Sequence, residues 1–276
     1  MRLGEYQKLV VIKKVEFGVY LAERMENETR VLLPEKQVPE GTKIGDELRV
    51  FLYKDSKDRL IATTNTPKLT LGGLAVLTVK EVGKIGAFLD WGLEKDLLLP
   101  FKEQTAKVKK GDEVLVALYV DKSGRLCATM KVYEKLRTDS PYKKDDHVEG
   151  IIYETSDNFG VFVAVDDCYS ALIPKREAFG RLRVGDRVSA RVLKVREDGK
   201  LDLSVREKAF LQMDADAAMI MKRMEEYGGK LPFNDKVDPE VIKQEFGLSK
   251  NAFKRAVGRL LKQGRIEITE NRIIKR

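Results

Sequence analysis

Four short signals recur three times along this chain, in the same order and at nearly constant spacing, and that recurrence limits the fold more than any single residue does. In the first copy they are Phe17-Gly18-Val19-Tyr20-Leu21, Leu32-Leu33-Pro34, Gly45-Asp46 and Arg59-Leu60-Ile61-Ala62-Thr63. In the second they are Ile85-Gly86-Ala87-Phe88-Leu89, Leu98-Leu99-Pro100, Gly111-Asp112 and Arg125-Leu126-Cys127-Ala128-Thr129. The third copy has Phe159-Gly160-Val161-Phe162-Val163, Leu172-Ile173-Pro174, Gly185-Asp186 and Lys200-Leu201-Asp202-Leu203-Ser204. Each Pro precedes the Gly of Gly-Asp by 11 residues in all three copies. A period of roughly 70 residues is too long for a solenoid repeat and suits autonomous small domains. Residues 1–65, 66–138 and 139–206 are therefore expected to fold alike, and residues 207–276 separately.

Each copy reads as five short strands. In the third these are residues 147–155, Phe159 to Val165, Tyr169 to Ile173, Arg187 to Val195 and Lys200 to Val205, separated by turn signals such as Asp157-Asn158 and Asp198-Gly199. Five strands in about 60 residues is the size of an OB-type barrel, whose second and third strands commonly present a nucleic-acid face. After residue 206 the pattern becomes helical. A helix over 207–226 carries Phe210, Met213, Ala217, Ile220, Met221 and Met224 as its apolar positions and ends at Gly228-Gly229. Asp238-Pro239 opens a second helix by supplying a cap and a Pro at the first helical position. Ser249 caps a third, with Phe253, Val257, Leu260 and Leu261 on one face and a stop at Gly264. A strand pair over Arg265 to Thr269 and Arg272 to Lys275 completes the element order of a winged helix. The expected fold is thus three tandem all-β OB-type barrels followed by an α+β winged-helix domain.

Composition narrows the function classes. The apolar run Val114 to Val120 is strand-sized, far short of the roughly 20 residues that span a bilayer, so no membrane partner is expected. The first residues lack the apolar core of a signal peptide, and a cytoplasmic location is expected. Cys127 and Cys168 fall in apolar strand-like surroundings of different repeats and read as reduced core or near-core thiols. With a single His and no Cys or His pair in ligand spacing, no metal site is expected, and no cofactor or small-molecule substrate. The carboxylates are scattered through turns and hairpins rather than clustered as a nuclease requires, so catalysis is not expected. The net charge of +8 is unevenly spread: residues 247–276 hold nine Lys and Arg against two Glu, which suits a polyanion partner.

Single strands are bound on such barrels by stacking bases on rings while cations follow the phosphates. Phe17 and Tyr20 are three residues apart, so a regular strand would point them to opposite faces. The glycine between them permits a bulge or strong bend that brings both to one side. Phe159 and Phe162 repeat the device, and Phe88 has Ile85 in place of the first ring. The third copy adds Tyr169 and the pair Lys175-Arg176. In the third helix of the winged-helix segment, Arg255, Arg259 and Lys262 lie opposite the apolar stripe, with Lys250 and Lys254 alongside, at the position of a recognition helix.

On these motifs each repeat resembles an S1-type RNA-binding domain. The resemblance implies that the ring before the Gly, the ring two residues after it, and an Asp and Arg spaced by four on the last hairpin line an RNA site. By position these are Phe17, Tyr20, Asp55 and Arg59 in the first copy and Phe88, Asp121 and Arg125 in the second. In the third they are Phe159 and Phe162, with Arg196 in the acidic position and Lys200 in the basic one; Pro34, Pro100 and Pro174 stand where the family often has His. Three such units followed by a winged helix resemble the bacterial conserved virulence factor B (CvfB) family. This implies an RNA-binding protein that influences expression of other genes, virulence functions included, without catalytic activity of its own. The expected partner is single-stranded RNA, and the third repeat with the basic C-terminal segment is its expected main surface. Two alternatives remain: a regulator that reads duplex DNA through the winged helix, and a scaffold associated with the ribosome or RNA polymerase whose rings bury against protein.

Overall fold

Each repeat closes its second and third strands at a glycine that leaves no room for a side chain. Gly18, Gly86 and Gly160 have φ of 143°, 159° and 120°, and a Cβ on them would stand 2.1, 2.2 and 2.2 Å from the carbonyl oxygens of Leu33, Leu99 and Ile173. A computed structural model describes residues 1–206 and 209–276, and the side chains of all of these except 209–212 and 214.

The first barrel comprises β1 (Tyr6–Val15), β2 (Gly18–Ala22), β3 (Val31–Pro34), β4 (Glu47–Lys54) and β5 (Leu60–Thr63). Its order is β1-β2-β3-β5-β4, closed by β1 against β4 and by the parallel pairing of Leu32 with Ile61. The second repeat gives β6 (Leu74–Val82), β7 (Gly86–Asp90), β8 (Leu97–Pro100), β9 (Glu113–Val120) and β10 (Leu126–Thr129). These take the same order, but β8 and β10 adjoin without forming a ladder, so this barrel is nearly closed. The third repeat, a closed barrel again, consists of β11 (His147–Ser156), β12 (Gly160–Val165), β13 (Tyr169–Pro174), β14 (Arg187–Val195) and β15 (Leu201–Ser204). The expected strands are present in each repeat, except that Phe159 stands in the turn before β12.

Alternation fills each barrel from one side of its strands. Leu9, Val11, Val19, Leu21, Leu33, Val50 and Leu52 make the first core, and Val148, Ile152, Val163, Ile173, Val192 and Leu203 contribute to the third. A second apolar layer joins the barrels. Phe51 and Tyr53 point out of β4 onto Trp91 of the second repeat, with ring centres 5.9 and 6.3 Å away. In the same way Leu115 and Ala117 point out of β9 into a cluster with Ile151, Tyr153 and Ala164 of the third, closed over by Val132 and Leu136.

The C-terminal unit, residues 206–276, has α1 (Ala209–Glu226), β16 (Lys230–Leu231), α2 (Pro239–Phe246), α3 (Lys250–Lys262), β17 (Ile266–Ile268) and β18 (Ile273–Lys275), with sheet order β16-β18-β17. Asp238 caps α2 by accepting from Glu240 N, and Ser249 caps α3 by accepting from Ala252 N. Ala217, Ile220, Met221 and Met224 of α1 pack with Ile242, Phe246, Phe253, Val257, Leu260 and Ile273. This is the expected winged helix, with two differences in side-chain placement. Met213 is only half-buried, and Leu261 is 46% exposed because it is turned about 100° around the axis from the buried Leu260. The side chain of Phe210 and the backbone of residues 207–208 lie outside the described residues.

Candidate nucleic-acid interface

The structure brings the paired rings together. Phe17 and Tyr20 have ring centres 6.5 Å apart at 87°, and Phe159 and Phe162 have centres 6.4 Å apart at 63°. The first ring of each pair is largely in solvent, Phe17 at 57% and Phe159 at 64%. The bulge expected at the glycine lies instead on the partner strand, where the register slips between Val11 and Lys13, Val79 and Glu81, and Ile152 and Glu154. The extra residue there coils the hairpin, while the glycine lets the chain before β2 or β12 double back beside Leu33 or Ile173.

What stands next to the first ring differs among the repeats. A backbone N–H donates to the carbonyl of Phe17 from Glu35, to that of Ile85 from Phe101, and to that of Phe159 from Lys175. The first face therefore has an acid at this position and the third has Lys175 with the exposed Arg176. The second has Phe101, a 51% exposed ring that the repeat pattern did not indicate, at the same position. Arg30, also missed because it lies outside the four signals, stacks on Tyr20 at 4.7 Å.

The hairpin cations are engaged differently in each barrel. Arg59 donates to Asp55 from Nε at 2.9 Å. Burial opposes the charge on Asp55, but the Arg59 side chain and the N–H groups of Arg59 and Lys57 outweigh it and hold the carboxyl below its ordinary range. Asp121 is satisfied by the Ser123 hydroxyl and by the N–H groups of Ser123 and Arg125. The Arg125 side chain turns away from it and pairs with Asp58 on the hairpin of the first barrel. In the third barrel the ion pair is re-formed with its charges exchanged. Arg196 occupies the position of Asp55 and donates to Asp202 at 2.8 Å from Nε and 2.5 Å from Nη2, and Asp202 occupies the position of Ile61. Lys200 donates to the Tyr133 hydroxyl at 3.2 Å, which together with Asp198 raises its pKa.

Tyr133 is a site residue that sequence reasoning missed. It lies in a 3₁₀ turn after β10, yet its ring meets Phe162 at 5.8 Å with Lys200 Nζ 5.1 Å above it. Phe159, Phe162 and Tyr133 thus form a row of three rings on the third barrel. Tyr169 does not join them. It pairs with Val165, three residues along the hairpin from the Phe162–Leu172 pair, and Arg137 covers its ring at 5.2 Å.

On α3, Lys254, Arg255 and Lys262 are exposed, Lys250 and Arg259 are half-buried, and the helix carries no acidic residue. Among the described residues no helix is long and apolar enough to cross a membrane.

Known families match successive stretches of the chain. The S1 domain family matches residues 3–65 and 71–131, the second domain of virulence regulatory factor CvfB matches 133–207, and the CvfB-like winged helix domain matches 218–274. The YitL protein of Bacillus subtilis is 32% identical over 275 residues, covering 96% of this chain and 91% of that protein. Conserved virulence factor B of Staphylococcus saprophyticus is 32% identical over 240 residues, covering 83% of this chain and 80% of that protein. A crystal structure of a multidomain protein with nucleic acid binding domains from Streptococcus pneumoniae superposes with a TM-score of 0.56 at 27% identity, covering 99% of this chain and 98% of that one.

Proposed function

The chain belongs to the conserved virulence factor B family, and from that premise we propose that it is a non-catalytic protein of the cytoplasm that binds single-stranded RNA by stacking and phosphate contacts and so adjusts gene expression after transcription. The observation that carries this reading is the pair Phe159 and Phe162, two adjoining rings on an OB-type face, the first 64% exposed, with its carbonyl bonded by the backbone N–H of Lys175. Phe159 leaves most of its ring in solvent, and a base supplies the flat apolar surface it lacks. The S1 match and the nucleic acid binding domains of the pneumococcal protein support it. Several weak faces on one chain gain avidity when one strand spans them.

The test is a fluorescence titration of the intact chain with unstructured RNA, single-stranded DNA and duplex DNA. Phe162 also packs on Tyr153 at 6.1 Å, so Phe159→Ala is the cleaner variant. Loss of one stacking ring is worth about 1–3 kcal/mol, roughly a fivefold to 150-fold fall in RNA affinity. Unchanged RNA affinity in Phe159→Ala refutes the stacking reading. The exposed Lys254, Arg255 and Lys262 of α3 favour a second reading, a duplex-DNA reader. That reading requires tighter binding to duplex than to single strands, and loss of it in Arg255→Ala plus Arg259→Ala.

A further inference from the structure

The ring face of the second barrel is roofed by the first. Lys54 and the turn to Asp58 lie across it, and between them and Phe88 is a cleft of about 290 Å³. Ile85, Phe88, Leu98 and Cys127 line it from the second barrel, and Tyr53 and Trp91 of the junction lie at its back. Burial pushes the Cys127 thiol up to about 11, which keeps this lining uncharged at neutral pH. Three cations stand at the rim: Lys54, Lys95 and Arg125. Arg125 pairs with Asp58, and Lys95 donates to the carbonyl of Asp55 at 2.8 Å and stands 3.7 Å from Asp58. The other lining acid, Asp96, is taken by Lys80 at 2.8 Å.

We propose that this cleft binds one nucleoside 5′-phosphate unit, its base against Phe88 and its phosphate on Arg125 and Lys95 in exchange for Asp58. The volume sits at the lower end of ligand pockets, roughly 300 Å³, which suits a single nucleotide and excludes a dinucleotide cofactor. An apolar lining with one half-exposed ring takes a base, and Arg125 and Lys95, which share the displaceable carboxylate of Asp58, take the phosphate that follows it. On the third barrel the space that Tyr133, Arg196 and Phe162 line is only about 20 Å³. The unit is either a free nucleotide or one residue of a strand. The second source rests on the RNA reading above; the first does not.

Trp91 is the only tryptophan of the chain and lines the cleft, so its emission reports occupancy. The intact chain is titrated with each of the four nucleoside 5′-monophosphates, with the matching nucleosides, and with a short unstructured RNA whose own binding is followed by anisotropy of a dye on its end. The expected result is a saturable change in Trp91 emission with monophosphates or with RNA, at least tenfold weaker for nucleosides and lost in Phe88→Ala. Asp58 has φ of 59°, a backbone conformation that Asn tolerates, so Asp58→Asn keeps the turn while releasing Arg125 and is expected to tighten binding about fivefold. A change with monophosphates alone identifies a free-nucleotide site even if RNA does not bind. A change with RNA alone identifies a strand residue. RNA that binds without moving Trp91, with monophosphates also silent, overturns the cleft and leaves the RNA reading standing. An emission change that Asp58→Asn and Phe88→Ala both leave untouched overturns it as well.

Discussion

In β4 and β9 the side chains pointing away from their own barrel include Phe51 and Tyr53, and Leu115 and Ala117, while β14 has Ser189 and Arg191 at the positions of Leu115 and Ala117. The two apolar rows are each covered by the next repeat. The polar row is not; Arg191 pairs with Asp145 at 2.8 Å, within its own barrel. Continuous burial along the fourth strand, Val50 to Tyr53 and Val114 to Leu118, therefore marks a barrel that is followed by another, and alternation along β14 marks the last. The barrels share one scaffold, and the outward half of one strand decides whether it is extended.

The strongest way to break this comparison is to empty the first junction. Trp91 is buried between Phe51 and Tyr53, and its indole N–H donates to the carbonyl of Lys95 at 2.6 Å. Truncating a buried aromatic costs about 3–5 kcal/mol, so Trp91→Ala is expected to lower stability by that amount in urea unfolding followed by circular dichroism. Ser189→Ala, at an exposed position of β14, is expected to change it by less than about 0.5 kcal/mol. Equal effects would mean that the outward rows do not distinguish the barrels.

Much of this was legible in the sequence, because strand periodicity and turn spacing are local. The five strands per repeat, the helix caps at Asp238 and Ser249, and the meeting of Phe159 with Phe162 all follow from residues a few positions apart. What the sequence hid depends on register between strands. The run from Val114 to Val120 reads as a strand, but nothing in it tells that Leu115 and Ala117 will meet Ile151 and Tyr153. Arg196 reads as the loss of an acidic residue. Only the β14–β15 ladder, with its slip between Val192 and Lys194, brings it to Asp202 and shows that the pair is kept with exchanged charges. Tyr133 was hidden for the same reason: by sequence it trails the second repeat, and by contact its ring belongs to the face of the third.

That exchanged pair offers a smaller test of the difference between the first and third barrels. Asp202 is buried at 7% exposure and bonded by Arg196, with Lys194 at 3.5 Å. Arg196→Ala leaves a buried carboxylate short of donors and is expected to cost about 1–3 kcal/mol. Arg59→Ala removes a largely exposed side chain from Asp55, which keeps its two backbone donors, and is expected to cost less than about 1 kcal/mol. Thermal unfolding of the two variants side by side checks the ranking, and a larger loss from Arg59→Ala reverses it.

The smallest expected effect separates the polar strap of the first junction from its apolar contact. Lys68 donates its N–H to the carbonyl of Trp91 at 2.8 Å, and its ammonium pairs with Asp90 at 2.8 Å. The Lys68 bond, followed by that from the Gly92 N–H, holds the Asp90 carboxyl below its ordinary range. A carboxyl whose folded pKa is depressed stabilises the fold fully above its unfolded value, about 3.9, and the contribution disappears as pH falls through the folded value. Asp90→Asn keeps an oxygen for the Gly92 N–H and removes the charge. Both partners are well exposed, so the variant is expected to lose less than about 1 kcal/mol at pH 7, and its difference from the parent is expected to vanish by about pH 2. A difference that persists undiminished into acid would place the role of Asp90 in its shape. The strap would then belong with Trp91, Phe51 and Tyr53 as part of the packed junction, leaving it with no charge for acid to remove.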